Sequence, residues 1–196
     1  MKLTLALGIG GAVVLVATGS AQLCRTSPEL RPAAQNLGFD AGAPGMPLPG
    51  WWLDPESWLP AARGAYAAEI TTSRNTSKQC ASVRSVRADP SAPLAFLDQV
   101  IEAAAHRNTR LTLRAAARVA PGSVARLLVR VHRMDCSTSF FDNLGDHPIT
   151  TPSWSFYEIQ APIARDAHDI EFGVQLIGQG AVWIDNVSMN FVEDGR

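Results

Sequence analysis

Two runs of alternating apolar residues near the C-terminus constrain the fold of this chain more than any other feature. Ile170, Phe172, Val174 and Leu176 alternate with Glu171, Gly173 and Gln175. Gly178, Gln179 and Gly180 follow, and then Val182, Ile184, Val187, Met189 and Phe191. A two-residue period sends successive side chains to opposite faces of a strand, so each run has one face for a core and another for something else. With a glycine turn between them, the two runs read as a β-hairpin.

The same grammar recurs upstream. Residues 65–72 and 154–160 read as strands, and 81–86 and 125–132 alternate, with Leu127, Val129 and Val131 turned inward in the latter run. In residues 110–119 the apolar face is Leu111, Leu113, Ala115, Ala117 and Val119, and the other face is Thr112, Arg114, Ala116 and Arg118. Residues 96–105 mix helix-forming alanines with a Gln-Val-Ile core and are read as strand. Asn36 to Asp40 reads as a short first strand, and residues 133–152 as a long loop. Eight to ten strands with little helix bury their apolar sides best as two sheets face to face. The expected fold is all-β: a two-sheet β-sandwich of jelly-roll type over residues 36–192. Residues 22–35 read as a linker and 193–196 as a tail.

The N-terminus has the three parts of a secretory signal peptide over residues 1–21: basic Met1-Lys2, an apolar run from Leu3 to Ala17, and small Gly19-Ser20-Ala21. This predicts an exported protein, periplasmic or extracellular. The rival reading is an uncleaved anchor, because no charge follows Lys2 until Arg25. Either way, membrane contact is expected only through this segment. Formal net charge is −1, which gives no reason to expect nucleic acid as a partner. Exported chains are permitted disulfides. Of the three cysteines, Cys80 opens a predicted strand and Cys136 lies in a loop, so the bridge to weigh is Cys80–Cys136, with Cys24 left over. No cysteine spacing resembles a zinc motif.

Catalytic signatures are lacking: there is no Gly-x-Ser-x-Gly elbow, His-Glu-x-x-His, P-loop or dinucleotide fingerprint. The chain is therefore read as non-catalytic, with a hydrolase built on two carboxylates as the weakest alternative. Trp51, Trp52 and Trp58 cluster in a Pro-broken loop. They suit flat platforms for the apolar faces of sugar rings, and equally a plug for one end of the sandwich. Arg130 and His132 share the outer face of one strand, and Glu171 and Gln175 that of another. If those strands pair, a hydrogen-bonding surface results. Asp142 and Asn143, with Asp146 and His147, form a polar loop that suits a ligand or a turn cap. Trp154 and Trp183 read as packing residues, although Trp183 points away from Val182 and Ile184.

Several segments together carry a resemblance. Asn36-Leu37-Gly38-Phe39-Asp40 with Pro49-Gly50-Trp51, then Gln99-Val100-Ile101 before Arg110-Leu111-Thr112-Leu113, resemble the opening and middle strands of carbohydrate-binding-module-like domains. These belong to the galactose-binding-like jelly rolls. Phe141-Asp142-Asn143, Pro148-Ile149, Trp154, Tyr157, Phe172-Gly173 and the run from Val182 to Val187 are similar to a bacterial subgroup found beside regulators or esterase-like proteins. The resemblance implies a carbohydrate ligand. It also implies a structural calcium near the first and last strands, where Asp40 and Asp185 stand, and no other cofactor. The Trp-rich insert between Gly50 and Ala65 departs from the pattern. Candidate ligand-binding residues are Trp51, Trp52, Trp58, Arg130, His132, Asp142, Asn143 and Gln175. The partner is read as a carbohydrate, with an envelope protein, met by a structural or interaction domain, as the alternative.

Overall fold

A computed structural model describes residue 24 and residues 29–54, 64–72, 79–87 and 94–193. The proposed signal peptide, Trp58 and the last three residues of the tail lie outside the described residues. Among the described residues no helix is long and apolar enough to cross a membrane.

Eleven strands are present among the described residues: β1 (Leu30–Arg31), β2 (Trp52–Asp54), β3 (Tyr66–Thr71), β4 (Cys80–Ser85), β5 (Leu94–Glu102), β6 (Thr109–Val119), β7 (Val124–Arg133), β8 (Thr138–Asp142), β9 (Ser155–Ile163), β10 (Ala167–Ile177) and β11 (Ala181–Glu193). They form two sheets. The front sheet runs β1-β5-β10-β7-β8, with β2 also paired to β5; the back sheet runs β3-β4-β11-β6-β9. Only β1 pairs in parallel; the other pairings are antiparallel. From β4 onward the chain passes repeatedly from one sheet to the other, as a jelly roll does.

The alternating residues do the work expected of them. Ile170, Phe172, Val174 and Leu176 from the front sheet meet Leu111, Leu113, Val182 and Ile184 from the back sheet in one core. Burying each such side chain contributes about 1.5–3 kcal/mol.

The structure corrects four of the expectations. First, β10 and β11 are not a hairpin. They lie in different sheets, and residues 178–180 carry the chain across the sandwich. Gly178 and Gly180 take positive φ values of 65° and 120°, and a Cβ on Gly180 would collide with Ser123 Oγ, so this crossing requires glycine there. Second, residues 36–40 are a turn. Phe39 N–H donates to Asn36 O, and the Asn36 amide donates to Ala41 O and Pro49 O while accepting from Ala41 N–H. One side chain thus organises the whole loop, and the fully buried Phe39 anchors it. Third, the long loop contains β8, folded back on β7 by a turn at residues 134–137, and the linker contains β1. Fourth, the bridge is Cys24–Cys136, with a Cα separation of 5.0 Å. That distance suits a disulfide. Cys136 is thereby taken, and Cys80 is instead buried at the start of β4.

Candidate functional site

The outer face of the front sheet gathers half of the eight residues proposed for binding: Trp52, Arg130, Gln175 and, buried within it, His132. Strands β7 and β10 do pair, and the register sets Glu171 opposite Arg130, Gln175 opposite Arg126 and Asp169 opposite His132. On the other side of β10, Gly173 is opposite Asp98 and Gln175 opposite Phe96. Trp52 of β2 continues the first of these rows by pairing with Asp98. A line across the sheet therefore reads Trp52, Asp98, Gly173, Leu128, and the next line reads Phe96, Gln175, Arg126.

This face is polar but not simply solvated. Asp98 and Glu171 are wholly buried, and Asp169, Gln175 and His132 nearly so. Arg130 approaches Glu171 at 3.6 Å and lies over the exposed Phe141 ring, 4.9 Å from its centroid. Gln175 Oε1 and Arg126 Nε, facing each other in register, are buried without a hydrogen-bond partner. Each such atom costs about 1–3 kcal/mol unless something supplies the bond.

At the edge of this face a recess of about 170 Å³ opens between Glu29, Arg31, Trp52, Asp98 and Val100. Glu29 and Arg31 pair within it, and the Arg31 guanidinium also donates to Gln35 Oε1. The recess is below the size of drug-sized ligand pockets and has the scale of a subsite for one ring or polar group.

The other candidates fall elsewhere. Trp51 is a core residue: its indole N–H donates to Asn36 O at 3.1 Å, and its ring sits 5.2 Å from Phe39 and edge-on to Phe172. It anchors its loop against the core. His132 is inside rather than on the surface; its Nδ1–H donates to Asp169 Oδ1 at 2.7 Å. Asp142 caps a turn by accepting from Leu144 N–H, and half-buried Asn143 follows in that turn. Asp40 is exposed, whereas Asp185 is buried at a β-bulge and accepts from Asn186 N–H. Among the described residues neither aspartate belongs to a cluster of three carboxylate, histidine or cysteine ligands. Any calcium there would draw its remaining oxygens from backbone or amide carbonyls.

Sequence reasoning missed Asp98, Arg126 and Asp169. Asp98 and Arg126 stand on the outward-facing phase of their strands, which is the only signal they gave. Asp169 sits between two imidazoles, accepting from His132 Nδ1–H on one oxygen and His168 Nδ1–H, at 2.9 Å, on the other. Burial pushes its carboxyl upward, but these two hydrogen bonds outweigh burial and hold it below the ordinary carboxylate value.

The back sheet presents a different outer face. The Arg118 guanidinium lies over Trp183 at 4.1 Å and over Trp154 at 5.4 Å, and Arg114 lies over Phe156 at 3.6 Å. Trp183 thus faces outward, as its place in the alternation implied.

Comparison with known proteins bears out the fold. No family model matches the chain. A stretch of 71 residues is 38% identical to an uncharacterized HTH-type transcriptional regulator, YbfP, of Bacillus subtilis, and covers 36% of this chain and 24% of that protein. The chain thus spans about a quarter of that relative's length. Among solved structures, the xylan-binding CBM22-1 domain of Paenibacillus barcinonensis Xyn10C superposes with a TM-score of 0.54 at 12% identity, over 74% of this chain and 88% of that domain. The C-terminal family 22 carbohydrate binding module of Clostridium thermocellum Xyn10B gives 0.55 at 11% identity, over 83% and 98%. A CBM4 structure gives 0.54 at 13% identity, over 81% and 99%. The fold is that of carbohydrate-binding modules, a two-sheet jelly-roll sandwich.

Proposed function

We propose that this chain is a non-catalytic carbohydrate-binding module, exported by its N-terminal segment, that grips a polysaccharide along the outer face of the front sheet. The carrying observation is the recess beside β5. It sets the half-buried Trp52 ring next to Asp98, Arg31 and Glu29, a flat apolar surface beside hydrogen-bonding groups. The half-buried Arg126, one row away, adds guanidinium donors on the same face. The fold shared with xylan-binding domains makes xylan the first polysaccharide to try.

The test is affinity electrophoresis through gels containing xylan, cellulose derivatives or mixed-linkage glucan. The parent protein is expected to be retarded by at least one of them. Trp52→Ala is expected to lose about tenfold or more in affinity while keeping its far-ultraviolet circular dichroism. A parent protein that ignores every glycan on an array, or a Trp52→Ala variant as well retained as the parent, would remove this reading. Mass measurement of the protein recovered from outside the cytoplasm tests export and separates a chain cut after Ala21 from an intact, anchored one.

A second reading has one observation in its favour: the 71-residue match to part of a regulator. Under it the sandwich meets another envelope protein and its N-terminal segment anchors it. Crosslinking in intact cells that captures one protein partner, together with silence on glycans, would favour it.

A further inference from the structure

The described residues bring three metal-ligating side chains together, one of them bonded to a second cysteine, where the sequence spacing gave no hint of it. Cys136 stands in the tight turn between β7 and β8, with φ of 64°. Cys24 is bonded to it. The Cys24 sulfur lies 3.8 Å from His168 Nδ1, and that nitrogen lies 2.9 Å from Asp169 Oδ2. The ligand atoms of Cys24, His168 and Asp169 all fall within 4.8 Å of one another. A register shift at the start of β10, between Ala167 and Asp169, accompanies the convergence of these two neighbouring side chains on one spot.

We propose that the Cys24–Cys136 bridge is the oxidised form of a zinc site whose ligands are the two cysteine sulfurs, His168 Nδ1 and Asp169 Oδ2. Two ligand atoms about 2.1 Å from one zinc, at a tetrahedral angle, are about 3.4 Å apart. The His168–Asp169 and Cys24–His168 separations bracket that value, and once the disulfide opens the two sulfurs, each about 2.3 Å from the zinc, must part to about 3.8 Å to complete the site. The second layer is also present. Asp169 Oδ1 is held by His132 Nδ1–H, and both residues are buried, which orients the carboxylate as outer hydrogen bonds do in metal sites.

The chemistry balances as follows. A dithiol reductant gives two electrons and two protons to the disulfide and becomes a disulfide itself, leaving two cysteine thiols. Each thiol releases its proton to water as its sulfur binds zinc. The imidazole of His168 binds as the neutral ring through Nδ1, its proton carried on Nε2, and Asp169 binds as the carboxylate. In the oxidised protein the sulfurs share a bond and carry no charge, so the site is closed.

The experiment compares the purified full chain kept oxidised with the same chain reduced by a water-soluble phosphine, which opens the disulfide without chelating zinc. Reduced protein is expected to take up one zinc, and to bind cobalt with a thiolate-to-cobalt charge-transfer band and the strong visible bands of tetrahedral cobalt. Oxidised protein is expected to show neither. Cys24→Ser and Cys136→Ser should each weaken the charge-transfer band, and His168→Ala should change the visible bands. His132→Gln should lower affinity about 10–100-fold. Cys80→Ala should leave uptake unchanged. Near-ultraviolet circular dichroism checks the fold of each variant. If a variant does not fold, the oxidised and reduced parent still decide the matter. Reduced protein that binds no metal, folded or not, overturns the proposal. So does equal uptake by the oxidised form, or a cobalt spectrum without the thiolate band.

Discussion

On the front sheet, Asp169, Glu171 and Gln175 of β10 lie buried against His132, Arg130 and Arg126 of β7, whereas on the back sheet Arg114 and Arg118 lie over the rings of Phe156, Trp154 and Trp183. Both faces alternate with the same core, yet one is built from in-register polar pairs and the other from cations on aromatic faces. The polar face is the demanding one. Removing carboxylates and amides from water is costly unless each finds a partner; the register supplies one for Asp169 and Glu171, whereas Gln175 Oε1 and Arg126 Nε stay unsatisfied. The aromatic face tolerates water, so its contacts contribute less and constrain less. The contrast ranks what substitutions on each face should do.

The largest effect is expected at Gly173, in the middle of the polar face. A Cβ there would stand 2.1 Å from Leu97 O and 2.7 Å from Asp98 Cα, both backbone atoms of β5. Backbone cannot swing aside as a flexible side chain would, so β5 and β10 must separate. Gly173→Ala should therefore cost about 3 kcal/mol, read from urea unfolding. A loss below about 0.5 kcal/mol would show the two strands to be more loosely joined than this register implies.

Next comes the buried carboxylate. Asp169 titrates below its ordinary value of about 3.9 in the folded protein. A depressed folded value means that its contribution is complete above the unfolded value and is lost as pH falls through the folded one. Asp169→Asn should cost about 2 kcal/mol at neutral pH, because an amide cannot accept from both imidazoles with both of its atoms. The difference between parent and variant should shrink below about pH 4, and urea midpoints measured down to about pH 2 would show it. A gap that stays constant across that range would mean the carboxylate is not held as described.

The binding contrast is sharper in kind but smaller in energy. Trp52→Ala, on the polar face, should lower retention on the bound polysaccharide about tenfold, or about 1.4 kcal/mol, while Trp183→Ala, on the aromatic face, should leave retention unchanged. The opposite outcome would move the ligand to the back sheet.

These faces were only partly legible in the sequence. The period of Ile170, Phe172, Val174 and Leu176 identifies a buried side whichever strand lies alongside, so the sandwich was readable. The same period is blind to the neighbour, which is why β10 and β11 read as a hairpin although they lie in opposite sheets. That Arg130 and Glu171 would share a surface followed from their parity, conditional on pairing. That Glu171 would be fully buried did not, because its cover comes from tertiary packing. Trp51 and Trp52 are adjacent and chemically identical and both border the recess, yet Trp51 is buried in the core and Trp52 is only half-buried. Neighbours in a strand must part in this way, and nothing local says which goes inside. The convergence of Cys24 on His168 and Asp169 depends on a bulge and a long-range bridge, neither of which leaves a spacing to read.

The smallest effect is expected at Arg118, and it tests the other side of the contrast. Its guanidinium sits over both Trp183 and Trp154, while its buried Nε lacks a hydrogen-bond partner. The side chain therefore gains from two aromatic faces and loses at one unsatisfied donor. Arg118→Met keeps the apolar stem and puts a polarizable sulfur near the rings, so it gives up the cation–π attraction and removes the unsatisfied donor at once. These opposing changes should leave a net loss of about 0.5 kcal/mol or less, with tryptophan fluorescence altered because the charge over the rings is gone. A loss of about 2 kcal/mol or more would mean that the aromatic face is as tightly organised as the polar one. The difference between the two faces would then lie in their chemistry and not in how firmly each is held.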